Sequence, residues 1–220
     1  MNTSSPLFGV TRMFAAIVIA AGSAAAQQPA DAPRLTPAAQ AKADSGRPAY
    51  TQADVHFMTG MIGHHAQAVL MGGWAPSHGA NPALRALCER IVVGQRDEIA
   101  FMQRWLRERH EMVPDADPRG QTMAGMPGMD HPMLMPGMLT PEQLTQLDHA
   151  RGAEFDRLFL KFMIQHHQGA ITMVEQLFSA NGAAQDGYVF KFASDVNADQ
   201  TTEIDRMNLM LSELPQRNQP

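Results

Sequence analysis

Along this chain apolar residues recur three and four positions apart in long stretches, and the alternation expected of strands is absent. The first stretch opens on Thr51-x-x-Asp54, a capping hydroxyl with an acid three residues on, and runs to Gly72-Gly73. Asn81-Pro82 starts the second with an amide cap and a proline at the first helical position. Leu84, Leu87, Ile91, Ile99, Met102 and Leu106 carry it to near His110, and Arg104, Arg107 and Arg109 fall in its last turns, where cations suit the helix dipole. Thr140-Pro141 opens a short helix to about Ala150, Gly152 interrupts, and a long helix spans roughly Ala153 to Ser179. The last helix runs from about Asp186 to Leu214 and stops at Pro215. Two helix hairpins result, at residues 51–110 and 140–214. Neither can bury its apolar stripe alone, so the pattern predicts an all-α four-helix bundle.

The hairpins are copies of one another. Phe57-Met58-x-x-Met61-Ile62-x-His64-His65-x-x-Ala68-x-x-Met71 returns as Phe159-x-x-x-Met163-Ile164-x-His166-His167-x-x-Ala170-x-x-Met173. Gln95-x-x-Glu98-Ile99-x-x-Met102 returns as Gln200-x-x-Glu203-Ile204-x-x-Met207. The chain is a tandem duplication, and what it duplicates is a set of soft sulfur and nitrogen donors.

Outside the hairpins the pattern changes. Residues 1–26 read as an export signal: Arg12 flanks the apolar run from Met13 to Gly22, too short to span a bilayer, and Ala24-Ala25-Ala26 offers a cleavage site. Residues 27–50, rich in Ala, Gln and Pro, read as a flexible tether with at most a helical turn at Thr36-Pro37, residues 111–139 as a Met-rich linker, and residues 215–220 as a tail. The expected location is the periplasm or the cell exterior, with no membrane anchor after cleavage.

Adjacent helical residues point about 100° apart, so His64 and His65 cannot share a face, whereas Met61 can side with either; Met163, His166 and His167 repeat the arrangement. If the stripe Phe57, Met61, His64, Ala68, Met71 faces the bundle centre, His64 meets His166 across a pseudo-twofold axis. His65 and His167 then flank the axis near the helices carrying Glu98 and Glu203. Met71 lies seven residues from His64, about 10.5 Å along the axis, so Met71 and Met173 are either ligands of a separate site or core filler.

Any one such Met or His reads equally well as core, with the imidazole satisfied by a nearby carboxylate. The paired occurrence favours metal, because packing selects volume and hydrophobicity rather than the same donors twice. Candidate ligands are therefore Met61, His64, His65, Met71 and Met102 in the first copy and Met163, His166, His167, Met173 and Met207 in the second. Glu98 and Glu203 are suited to accept the spare imidazole N–H and fix the tautomer. Thioether with imidazole favours Cu(I) and, by the same logic, Ag(I), with Cu(II) a further candidate.

The linker adds Met123, Met126, Met129, Met133, Met135 and Met138 around His131. With no periodic face to bury, these read as a lower-affinity capture or transfer segment, of which Met123, Met126, Met129 and His131 are the candidate ligands; the alternative is an irregular loop laid over a hydrophobic groove. Seventeen methionines against one cysteine, Cys88, suit an oxidising compartment, where a thioether keeps a soft donor without disulfide formation. Cys88 itself reads as a buried small hydrophobe, and His56, His78, His110 and His149 as surface residues. Removing the signal takes away one arginine and no acid, so the net charge goes from −5 to −5 − 1 = −6. That mildly acidic balance argues against nucleic acid and anionic membrane as partners.

At Gly152-Ala-Glu-Phe155-Asp156-Arg157-Leu-Phe159 and the Met163-Ile164-x-His166-His167-x-Gly169-Ala170-x-x-Met173 run, with the matching first copy, the chain resembles the DUF305 family, whose members include CopM-type periplasmic copper-binding proteins. The resemblance implies a ferritin-like helical bundle, export, and copper or silver binding through Met and His. The first copy departs from the pattern at Gly60 and Gly63, and at Ala66-Gln67 where the second has Gln168-Gly169, so equal affinity in the two halves is not expected.

The function these residues favour is Cu(I)/Ag(I) binding for buffering, resistance or transfer, with a copper efflux or chaperone protein as a partner. One alternative is a metal-independent helical module that binds another protein through its Met-rich surface. Another is a ferritin-like two-metal oxidoreductase, against which stands the absence of any Glu-x-x-His in the chain. No triad, phosphate loop or zinc motif supports an enzyme.

Overall fold

The computed structural model describes residue 46 and residues 49–120 and 134–215, all but Gly46 within one unit, Arg47–Pro220. The expected signal and tether, up to residue 48 apart from Gly46, and Met123, Met126, Met129, His131 and Met133 of the linker lie outside the described residues.

Among the described residues five helices form, four of them where a capping side chain meets an apolar stripe and the fourth in chain order from Gly152, without a side-chain cap. Helix α1, Gln52–Gly73, opens on a reciprocal cap: Thr51 Oγ1 accepts from Asp54 N at 3.3 Å, and Asp54 accepts from Thr51 N at 2.7 Å. Helix α2, Pro82–Glu108, opens on Asn81, whose Oδ1 accepts from Leu84 N at 2.9 Å. Helix α3, Pro141–His149, has the Thr140–Gln143 box, α4 is Ala153–Ser179, and α5, Gly187–Glu213, is capped by Asp186. No strand occurs among the described residues. The arrangement is all-α, with α1 packed on α2, α4 on α5, and α1 against α4.

The two hairpins brace each other through equivalent acids in their first turns. Asp54 of α1 accepts from Ala184 N, in the α4–α5 turn, at 2.7 Å. Asp156 of α4 accepts from Asn81, in the α1–α2 turn, through its backbone N at 3.2 Å and its Nδ2 at 2.8 Å. The start of each inner helix is thereby tied to the far end of the other hairpin, which sets α1 and α4 antiparallel.

One expectation is corrected. His78 is not a surface residue: it is 4% exposed, its Nε2 meets Asp148 O at 2.8 Å and Asp148 Oδ1 at 3.1 Å, and its carbonyl accepts from Gly152 N at 2.8 Å. It anchors the α1–α2 turn to the α3–α4 junction. Arg109 does serve the C-terminal end of α2, donating from Nη1 to Trp105 O at 3.3 Å, but it does so buried, 4.2 Å from the Trp105 ring centroid and paired with Asp186, the cap of α5. His56, His110 and His149 are exposed, and Cys88 is buried.

The core is split. Phe57, Met58, Met61, Ile62, Met102, Met173 and Val196 belong to one apolar cluster, whereas Met71, Leu84, Phe155, Phe159, Met163 and Met207 belong to the other. On every long helix the break falls at the same polar residues: His64-His65 on α1, Gln95 and Glu98 on α2, His166-His167 on α4, Gln200 and Glu203 on α5. A polar layer therefore crosses the middle of the bundle.

Candidate metal centre

Antiparallel packing of two inner helices brings the layer's imidazoles together. The His64 and His166 rings face each other with centroids 3.8 Å apart. His65 lies 6.3 Å from His64 and His167 lies 6.2 Å from His166, each turned outward as the 100° step requires. All four are fully buried.

Burial decides their chemistry. His64 is pushed down to about 3, first by loss of solvation and then by repulsion from His65, with the Pro136 carbonyl opposing. His166 is lowered well below the usual histidine value, first by burial and then by His64, His167 and His65, a backbone contact from His64 opposing only in part. Both rings are neutral at physiological pH, the state a metal requires of imidazole.

The hydrogen bonds then fix which nitrogen is free. His64 donates from Nε2 to the Pro136 carbonyl oxygen at 3.0 Å, which leaves Nδ1 as a buried lone pair with no partner. His167 Nε2 is hydrogen-bonded to Glu203 Oε2 at 2.6 Å, whereas His65 Nε2 lies 2.7 Å from Glu98 Oε2 without hydrogen-bond alignment, so each outer imidazole has a carboxylate beside it but only His167 is held by one. Both ring nitrogens of His65 and of His166, and Nδ1 of His167, have no hydrogen-bond partner. A buried polar atom left unpaired costs about 1–3 kcal/mol, and here such atoms are concentrated in one layer.

The thioethers sit on either side. Met61, Met102 and Met173 lie in one apolar cluster, and Met163, Met207 and Met71 in the other, all 4% exposed or less. The antiparallel crossing is what sorts them: Met173 of α4 reaches back to Gly60, beside Met61. Among the described residues no three His, Cys, Asp or Glu side chains are grouped so as to hold one metal ion.

At residues 135–138 the linker follows the alternative reading, an irregular loop laid over the bundle, and here it covers the layer. Met135-Pro136-Gly137-Met138 forms a turn closed by Met138 N donating to Met135 O at 3.1 Å, with Gly137 at φ +76°. It lies over α1 and α4 as a strap. Gln67, fully buried, holds both ends of the linker: its Nε2 donates to Pro118 O at 3.0 Å and Leu139 O at 3.2 Å, and its Oε1 accepts from Leu139 N at 2.6 Å. Met135 and Met138 are thus packed, contrary to the reading that the linker methionines have nothing to pack against. The departures at Gly60 and Gly169 have the same cause. A Cβ on Gly60 would strike the Met135 methyl, and a Cβ on Gly169 would strike the Pro136 carbonyl. Pro136-Gly137, a turn dipeptide, was the available signal.

Several known proteins are similar to this chain in fold and sequence. A structure described as a putative secreted protein DUF305 from Streptomyces coelicolor is 26% identical, covers 73% of this chain and 93% of its own, and superposes with a TM-score of 0.61. CopM in its Cu(II)-bound form is 27% identical over 72% of this chain and 95% of its own, with a TM-score of 0.55, and CopM has also been solved in Cu(I)- and Ag-bound forms. Uncharacterized protein L153 of Acanthamoeba polyphaga mimivirus is 34% identical over 56 residues, 26% of this chain and 37% of that protein, so the match spans little more than a third of that relative. The model of the family described as domain of unknown function (DUF305) matches residues 54–211, and the chain belongs to that family.

Proposed function

We propose that this protein binds a soft monovalent cation, Cu(I) or Ag(I), in the imidazole layer and the thioether clusters beside it, and that it buffers or hands on the ion without a catalytic step. The observation that carries the reading is the row of buried imidazoles whose Nδ1 atoms have no hydrogen-bond partner, His167 oriented by Glu203 and His65 with Glu98 beside it. Among the described residues no three His, Cys, Asp or Glu side chains are grouped, so an ion held here would complete its coordination with thioether sulfur, which favours Cu(I) and Ag(I) over Zn(II) and Mg(II). His64 and His166 are the central nitrogen donors. Met61 and Met163, one turn before them, are the sulfurs best placed by sequence. Cu(II), which accepts imidazole, is a secondary cargo. The likeness to CopM, described in Cu(I)-, Cu(II)- and Ag-bound forms, supports the same reading.

Export fits this role: the apolar run after Arg12 and the resemblance to a protein described as secreted both favour it, and among the described residues no helix is long and apolar enough to cross a membrane. The linker thioethers at Met123, Met126 and Met129, with His131, add a capture segment that passes ions to the bundle or to an efflux or chaperone protein.

Competition titration of the protein with Cu(I) and Ag(I) tests the proposal. Tight binding is expected, with sulfur and nitrogen scatterers in X-ray absorption, and its loss is expected when His64, His65, His166 and His167 are all replaced by Ala. Unchanged affinity in that variant would place the site elsewhere, and no binding by the parent protein would favour a metal-independent partner-binding module. Deleting residues 123–133, which spares the strap, should lower stoichiometry or transfer rate and keep the tightest site.

A further inference from the structure

The strap closes one face of the imidazole layer, but the opposite face is open. Between α2 and α5 lies a cleft of about 210 Å³. Glu98 and Glu203 line it, each 26% exposed, while the imidazoles beside them are inaccessible. Gln95 and Gln200 line it too, at equivalent positions of the two copies and only 4% and 3% exposed. Oε1 of Gln95 and both amide atoms of Gln200 have no hydrogen-bond partner. Two buried amides facing one cleft with unpaired atoms mark a place that a polar occupant completes.

Charge says which occupant. Asp199 joins Glu98 and Glu203 in the lining, and its carboxyl is raised above the ordinary aspartate value, first by burial and then by Glu98, Asp195 and Glu203. Lys191 opposes that shift but is tied to Asp195 at 2.5 Å. Arg90 is the one cationic side chain in the lining. Three carboxylates and two amide oxygens against one guanidinium favour a cation.

We propose that the α2–α5 cleft is the port through which the cation reaches the buried histidines, received with water attached by the oxygens of Gln95, Glu98, Asp199, Gln200 and Glu203 and passed inward to His65 and His167. This rests on the metal-binding reading above. The port is a transit point rather than a resting site, because its carboxylates are not gathered closely enough to strip and hold a bare ion. Only ligand exchange is involved: water leaves the ion as carboxylate, and then imidazole, takes its place.

Stopped-flow association of Ag(I), a probe without redox chemistry, tests the port. Asp199 is exposed and outside the imidazole layer, and a side chain added at Gly94, in the same lining, meets no atom within 4 Å. Asp199→Lys and Gly94→Lys should each slow association about tenfold or more, the lower end of electrostatic steering effects. Dissociation should slow in parallel, so that equilibrium affinity and stoichiometry are kept, and Gly94→Ala should behave as the parent. The parent's association rate should also fall as salt is raised. Unchanged association rates in both lysine variants, with binding intact, would overturn the port and leave the metal-binding reading standing. Failure of the parent protein to take up Ag(I) at all would overturn both.

Discussion

His64 and His166, one from each repeat, face each other with their ring centroids 3.8 Å apart and their planes tilted by 39°, and both side chains are fully buried. Neither accepts a proton readily in the folded chain, His64 being held to about 3 and His166 also far down, whereas both titrate near 6.5 once unfolded. Unfolding therefore takes up protons below pH 6.5. Stability is full above that value, declines as pH falls, and levels off only near the folded value, with a slope of up to ~1.4 kcal/mol per pH unit for each imidazole. Urea midpoints of the metal-free protein should drop steadily from pH 7 to pH 5, and less so in a His64→Gln/His166→Gln variant. A midpoint independent of pH would show that these rings are not buried neutral.

Gly169 is where the strap touches α4. Ala at this position gains helix propensity of about 1 kcal/mol, but its methyl would occupy the place of the Pro136 carbonyl, the acceptor for His64. Gly169→Ala should therefore lose stability on balance, by ~1–3 kcal/mol for overpacking, and should weaken Ag(I) binding by detaching His64 from its acceptor. Chemical denaturation with Ag(I) titration on the same sample measures both, and a stabilised variant with unchanged affinity would remove the strap from the site.

Asp54 and Asp156 perform the same brace in opposite directions. Each replacement, Asp54→Ala or Asp156→Ala, should cost ~1–3 kcal/mol through lost caps and stranded backbone N–H groups. Their effects should add in the double variant, since the two braces share no partner. Strong coupling between them in a double-mutant cycle would show that the ends of the bundle do not act separately.

Cys88 sits 1% exposed on α2, and its thiol is pushed up to about 12, first by burial and then by Asp156. The thiolate is the reactive form. In native buffer the thiol should resist an aromatic disulfide reagent and react only in denaturant, so that labelling reports unfolding; rapid labelling of the native protein would contradict the burial.

Helix bounds were readable because Thr51, Asn81, Thr140 and Asp186 carry their own caps, a local signal. The division of labour within each histidine pair was readable too, since a 100° step leaves His64 and His166 inward once the stripe is placed. His78 was not, because Ser77-His78-Gly79 looks like a surface turn and only Asp148 and Phe155, distant in sequence, bury it. Gly60 and Gly169 read as weak helix formers for the same reason: the atoms that require them belong to Met135 and Pro136, and no helical periodicity reports a neighbour from another segment. Gln95 and Gln200 were visible as repeated letters, but their empty hydrogen-bonding positions exist only once α2 and α5 stand side by side.

The sorting of the six core sulfurs makes the two hairpins interdependent. Each trio takes members from both copies: Met61 and Met102 are joined by Met173, and Met163 and Met207 by Met71. A solitary hairpin has two of these sulfurs at one end and one at the other, and fills neither set. Neither half of the chain therefore presents a complete trio until the other has folded against it.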